Sequence, residues 1–199
     1  SHLNCPAILG RYSRLLVDLN RGPDDPTIVM KLSDGSVIPA NANVDRFGDG
    51  DEFQSRIAHY HEPYHSAVDA QIKSALAQGH VPVIVSIHSF TPFWRGRARQ
   101  WHAGVLWDKD PRLALPLLGA LADQEGLTVG DNEPYGGFLK GDTLYRHCTK
   151  RGLPHALLEI RQDLIDTEKG QAEWADRLAR ILPDLIAADG VSEITHYGS

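Results

Sequence analysis

Sulfur-bearing residues are scarce in this chain: two cysteines, Cys5 and Cys148, and one methionine among 199 residues. Neither cysteine belongs to a CxxC or zinc-knuckle spacing, so no thiolate metal motif is present. A reduced, cytoplasmic protein is the simplest expectation, although a Cys5–Cys148 disulfide is compatible with the sequence. No apolar run approaches the ~20 residues of a membrane span, and no signal-peptide pattern opens the chain. A basic stripe is also missing. The formal net charge is −6, which argues against a nucleic-acid partner. There is no internal repeat, linker or low-complexity tract.

What is present is an ordinary globular composition, 42% hydrophobic and 23% charged, at a length that suits one domain over residues 1–199. The organising stretch is VIVSIHSFTP, from Val83 to Pro92. Its short aliphatic run, apolar on both faces, predicts a buried parallel strand at 82–88. Pro92 ends the ladder. His88 is thereby delivered at the carboxyl end of a strand, the edge where open α/β sheets bind ligands.

Further strands are expected at 15–19 (LLVDL), 101–107, 127–129 and 155–160, with a hairpin about Ser33-Asp34-Gly35-Ser36. Asp51 is expected to cap a helix with the stripe Phe53, Ile57, Tyr60, Tyr64, Val68, Ile72 and Leu76, kinked at Pro63 and ended by Gly79. Asp110-Pro111 opens a second, with Leu113, Leu117 and Leu121 inward and a distortion at Pro116. A brief helix spans 144–148. Thr167 caps the last, which buries Trp174, Leu178, Ile181, Leu182 and Leu185 and should bend at Pro183. The tail after Gly190 should be mobile. Strands alternating with helices predict an α/β fold: a mostly parallel twisted sheet with helices on both faces.

The polar residues are informative where they interrupt this pattern. Asp18, inside an apolar run, needs a partner, and Arg11, Arg14 and Arg21 are near in sequence. Two readings are open, a structural ion pair or arginines that face a pocket and bind a carboxylate. The cluster Arg95-Gly96-Arg97-Ala98-Arg99 reads as a solvated loop. His61 and His65 stand four apart, a spacing that could share a metal, but a solvated or core-edge pair is the simpler reading. Four segments place polar groups at strand ends: 14–21, His88, 132–135 and 159–161. One pocket at the carboxyl edge could gather them.

Four motifs in order make the chain resemble the N-formylglutamate amidohydrolase family: Ser13-Arg14-Leu15-Leu16-Val17-Asp18-Leu19-Asn20-Arg21, His88-Ser89-Phe90, Asn132-Glu133-Pro134-Tyr135 and Glu159-Ile160-Arg161-Gln162-Asp163-Leu164. They cover residues 11–165. The family is similar in fold to the zinc carboxypeptidases. The resemblance implies a zinc-dependent hydrolase that cleaves an N-formyl or N-acyl amide of an acidic amino acid. It makes His88 a zinc-binding residue and Glu159 the catalytic carboxylate. Arg14, Arg21, Asn132 and Tyr135 would line the substrate pocket, and Arg161 would either join them or neutralise Glu159.

Such chemistry suits these residue types. A catalytic zinc takes three protein ligands and a water, whose pKa it lowers. A carboxylate moves the proton, and guanidinium groups clamp carboxylates. The family usually carries, before the Arg-Tyr-Ser-Arg region, a segment with further metal-binding histidine and acidic residues. This chain starts too late to contain it. His2, His61, His65, His102, His147 and His155 are substitute ligands with no spacing argument behind them. Loss of that segment would expose a strand edge, which a homo-oligomer could cover. The competing reading is a non-catalytic binding protein for an acidic small molecule. A serine nucleophile, Ser86 or Ser89 with His88, is disfavoured by the lack of a GxSxG elbow.

Overall fold

The computed structural model describes residues 3–48, 50–138 and 140–198. It divides into two compact units, one formed by residues 1–5, 81–139 and 148–199 and the other by residues 6–80 and 140–147.

The first unit is a mixed α/β unit built on a mostly parallel sheet. Its strands are β3 (Ile84–Phe90), β6 (Ala103–Leu106), β7 (Val129–Asp131) and β8 (His155–Arg161), in the order β3-β8-β6-β7. β3 runs parallel to β8 and β6 parallel to β7, while β6 and β8 are antiparallel. A two-stranded hairpin, β4 (Phe93–Trp94) and β5 (Arg97–Ala98), follows β3. The expected strand is therefore real but shifted two residues along, to 84–90, and burial on both faces belongs to β8, not β3. β8 is central and buried from His155 to Ile160, whereas β3 lies at the sheet's edge and its Ile87 is 57% exposed.

Alternation along each strand sorts the two faces. Val85, Ala156, Leu158, Ile160, Ala103 and Val105 share one face, packed with Leu113, Leu117 and Leu121 of α3 (Pro111–Ala122) and Trp174, Leu178 and Leu182 of α5 (Glu168–Ala187). Each fully buried leucine there contributes about 2 kcal/mol. Asp110 caps α3 by accepting from the Arg112 N–H at 3.1 Å, and Thr167 caps α5 by accepting from the Gly170 N–H. Neither Pro116 nor Pro183 breaks its helix. Both are exposed, so the carbonyl each deprives of a donor can take water instead. The tail is not loose. Val191 is buried, the Thr195 N–H donates to the Gly152 carbonyl, and Arg112 stacks on Tyr197 while donating to the Glu193 carbonyl.

In the second unit β1 (Leu32–Ser33) and β2 (Ser36–Val37) form the expected hairpin, with Asp34 and Gly35 at φ 46° and 79°. That pair of positive φ angles is the turn that matches strand twist. α1 (Glu52–Arg56) leads through a π-helical turn (Ile57–His61) into α2 (Glu62–Ala77). Asp51 precedes α1 but makes no side-chain cap. Pro63 sits in the first turn of α2, where its missing donor costs little. α4 (Thr143–His147) completes the unit.

Residues 15–19 do not form the expected strand. Their carbonyls are met by buried side chains rather than by a ladder. Asn41 donates to Leu15 O and Met30 O, Arg56 to Leu16 O, and His65 and Thr143 to Leu19 O. Val17 packs with Ile28, Val29, Val44, Phe53 and Ile57. An apolar run with strand-like composition is thus held as irregular backbone by side chains that arrive from 26 or more residues away.

Asn41 is the centre of that arrangement, since its carbonyl oxygen also accepts from Arg56. Asn41→Ala strands two buried carbonyls and a guanidinium N–H. The expected loss is about 3 kcal/mol, read as a lower urea midpoint at unchanged m-value. An unchanged midpoint would show the network to be redundant.

Candidate active site

The sheet face opposite α3 and α5 carries the polar residues. In the parallel pairing of β3 with β8, His88 stands directly opposite Glu159, and Glu159 in turn stands opposite Gly104, which pairs with Gly130. Residues in such a row share a face, with neighbouring strands about 4.8 Å apart. One row across the sheet thus reads imidazole, carboxylate, glycine, glycine. Glu159 is 7% exposed, on a strand buried on both sides. Ser86 lies on the same face, with its Oγ 3.1 Å from His88 Nε2. Ser89 lies on the other face, within reach of Gln162.

The two glycines explain the loop above them. A Cβ on Gly104 would overlap the Glu133 carbonyl oxygen, and one on Gly130 would overlap Glu133 and Trp101. The loop 132–137, with a cis Glu133–Pro134 bond, therefore lies directly on the sheet beside Glu159. Asn132, at φ 53°, organises it: its Oδ1 accepts from the Trp107 and Gly137 N–H groups and its own N–H donates to Val105 O. The side-chain carbonyl is thus committed to the fold, and the NH2 group is what remains for a ligand.

The arginines part company. Arg161 holds Asp163 through both carboxylate oxygens, at 2.7 and 3.1 Å, and donates to Arg99 O and Trp101 O. This pairing keeps the Asp163 carboxyl below its usual range. Arg161 is accordingly the anchor of the 99–101 segment, and its ion pair is with Asp163, not with Glu159. In the other unit, buried Asp18 receives Arg14 at 2.6 Å and Arg21 at 3.7 Å, so the ion pair predicted for it is present. Arg99, read from sequence as part of a solvated loop, is instead half-buried beside the rings of Phe90, Trp94 and Tyr135, and its NH1 donates to the Tyr135 hydroxyl at 2.8 Å. The signal available for it was its nearness in sequence to the aromatics Phe90, Phe93 and Trp94, the last two of which lead into a tight Arg95-Gly96 turn.

Histidines also cluster in the second unit, where His61 and His65 are buried and His65 stacks on His147 at 5.1 Å. His61-Glu62-Pro63-Tyr64-His65 also has the HExxH spacing of helical zinc sites. The geometry does not use it so. His61 Nε2 donates to Arg21 O and His65 Nε2 to Leu19 O, while Glu62 is exposed. With Nε2 protonated, neutral His65 accepts at Nδ1 from His147 Nε2 at 2.8 Å. Burial, then the neighbouring His61, Arg146 and His147, push the His65 pKa down to about 3, and burial lowers that of His61 as well. His102 accepts from the Thr128 N–H and His155 donates to Leu153 O. His2 lies outside the described residues. Both cysteines are free thiols. Among the described residues no three His, Cys, Asp or Glu side chains gather closely enough to hold a metal ion, and no helix is long and apolar enough to cross a membrane.

The family model for N-formylglutamate amidohydrolase matches residues 1–166. The crystal structure of a gene product of Agrobacterium tumefaciens superposes with a TM-score of 0.78 at 35% identity, over 89% of this chain and 69% of that one. An N-formylglutamate amidohydrolase from Ralstonia eutropha aligns at 24% identity and a TM-score of 0.45, over 67% of this chain and 52% of its own. No curated protein matches.

The histidine cluster makes stability depend on pH with a definite sign. Unfolded histidines take up a proton near 6.5, whereas His65 in the fold resists it down to about 3. Between those values the unfolded chain binds more protons, so stability falls as pH falls. His61 and His155 shift the same way. Urea unfolding between pH 7.5 and 4.5 should show a falling midpoint, with a shallower slope in His65→Gln; a flat profile would contradict the neutral cluster.

Proposed function

This chain belongs to the N-formylglutamate amidohydrolase family, and from that premise we propose that it hydrolyses the amide of an N-formyl amino acid with a second carboxylate, N-formylglutamate or a close relative. The observation that carries the reading is the register of His88 against Glu159 on the face opposite the helical core. A hydrophobic core residue is the ordinary occupant of a central strand, and a carboxylate there calls for use.

In this reading Glu159 takes the proton from the attacking water and returns it to the leaving nitrogen. The bond that breaks is the formyl C–N bond, giving formate and the free amino acid. His88, oriented by Ser86, lies beside the reacting centre, and the Asn132 NH2 group donates to the acyl oxygen as negative charge develops on it. Tyr135 orients the amino-acid half. Arg14 and Arg21 are candidate carboxylate binders within their own unit, where Asp18 already fixes them.

Zinc dependence rests on the family resemblance of His88. A bound zinc would acidify water and polarise the formyl carbonyl. Among the described residues no group of three His, Cys, Asp or Glu gathers closely enough to hold a metal ion, and every step above uses the chain's own groups.

Glu159→Gln separates chemistry from binding. It should lower kcat at least ~10³-fold while leaving KM or ligand affinity nearly unchanged. Equal loss of binding would assign Glu159 a structural role. Retained turnover in Glu159→Gln together with an inactive Ser86→Ala would transfer the chemistry to the serine.

A further inference from the structure

We infer that Arg99, held in a box of Phe90, Trp94 and Tyr135, is the residue that recognises the side-chain carboxylate of the substrate and so sets selectivity for an acidic amino acid. The inference rests on the hydrolase reading above for the identity of the ligand, and it adds a residue that neither the sequence motifs nor the family resemblance pointed to.

Three observations carry it. First, the arginines named earlier as pocket residues already hold carboxylates of the chain itself: Arg161 holds Asp163, and Arg14 and Arg21 hold Asp18. Arg99 has no carboxylate within ion-pair distance among the described residues. Its side chain makes one hydrogen bond, to Tyr135, and stacks at 5.0 to 5.4 Å on three rings. A half-buried guanidinium with most of its N–H groups unspent is a ready partner for a carboxylate, which it can engage through two parallel bonds.

Second, the box fixes the cation before a ligand arrives. Phe90 is buried and ends β3, the 93–98 hairpin brings Trp94, and the loop resting on Gly104 and Gly130 brings Tyr135. The Arg99 backbone is tied at both ends, its N–H to Pro92 O and its carbonyl to Arg161. Little rotamer entropy remains to be lost on binding.

Third, the placement suits the ligand's length. Phe90 shares the sheet face of His88 and lies one two-residue step further toward the carboxyl edge, ~7 Å along the strand. From the formyl carbon of an extended N-formylglutamate to its side-chain carboxylate is roughly 6 Å by covalent bond lengths. A formyl group at Glu159 would therefore direct that carboxylate toward the ring under Arg99.

The test is calorimetric, in a Glu159→Gln background so that ligand is not consumed. N-formylglutamate and N-formylglutamine, its isostere with a neutral side chain, are titrated into this protein and into the same protein carrying Arg99→Gln or Arg99→Lys. Arg99→Gln should weaken the glutamate derivative on the order of 30-fold and change the glutamine derivative little, with Arg99→Lys in between. A ratio between the two ligands that Arg99→Gln leaves unchanged would overturn the inference, and so would a parent protein that binds both ligands equally or neither. Should Arg99→Gln unfold, Arg99→Lys alone decides by the same ratio. Formate release by the wild-type chain is read separately. Its absence alongside an Arg99-dependent ratio would sink the hydrolase reading and leave the carboxylate site standing.

Discussion

A carboxylate on a strand with no exposed face is the constraint around which the sheet unit is arranged. β8 is buried from its first residue to Ile160. On one side Ala156, Leu158 and Ile160 press against α3 and α5; on the other, the next residue in the alternation is Glu159. Ionised groups are rarely taken out of water without charged or hydrogen-bonded company. The structure gives Glu159 a histidine across one ladder and two glycines in line across the other. The glycines in turn admit a loop pinned by Asn132. Remove the need to house that carboxylate, and neither the glycines nor the sharply folded loop has a reason to be there.

The second unit is solved by the same rule from the opposite direction. There the backbone, not a side chain, is the buried polar group. Residues 15–19 have no strand to pair with, so Asn41, Arg56, His65 and Thr143 supply donors one carbonyl at a time. The histidines that do this must stay neutral, which is why burial and mutual repulsion hold His65 far below its ordinary protonation range.

Much of this was legible from residue pattern. The strand ahead of Pro92, the Asp34-Gly35 hairpin, the capped helices at Asp110 and Thr167, and the pairing of Asp18 with arginine all follow from local rules that hold without tertiary help. The misreadings share one cause, which is that long-range contacts decided them. LLVDL is strand-like in composition but meets side chains instead of a partner strand. Pro116 and Pro183 look like breakers until their exposure is known. The tail after Gly190 looks loose until Val191 and Tyr197 find their places. Arg99 looked solvated because the rings that enclose it come from three separate segments. HEPYH has a zinc-site spacing, yet in the fold its histidines serve backbone carbonyls. Of the candidate site, the row of His88 and Glu159 was readable as two strand ends, but that they stand opposite one another depends on a strand order no local pattern encodes.

The central claim is that this chain breaks a formyl C–N bond. The measurement that reaches it most directly is the stoichiometry of formate and free glutamate released from N-formylglutamate by the purified chain, with and without added zinc. Release of the two products in equal amounts above the uncatalysed background is the predicted result. Tight binding of N-formylglutamate with no formate under either condition would contradict it and leave a protein that holds an acidic ligand without cutting it.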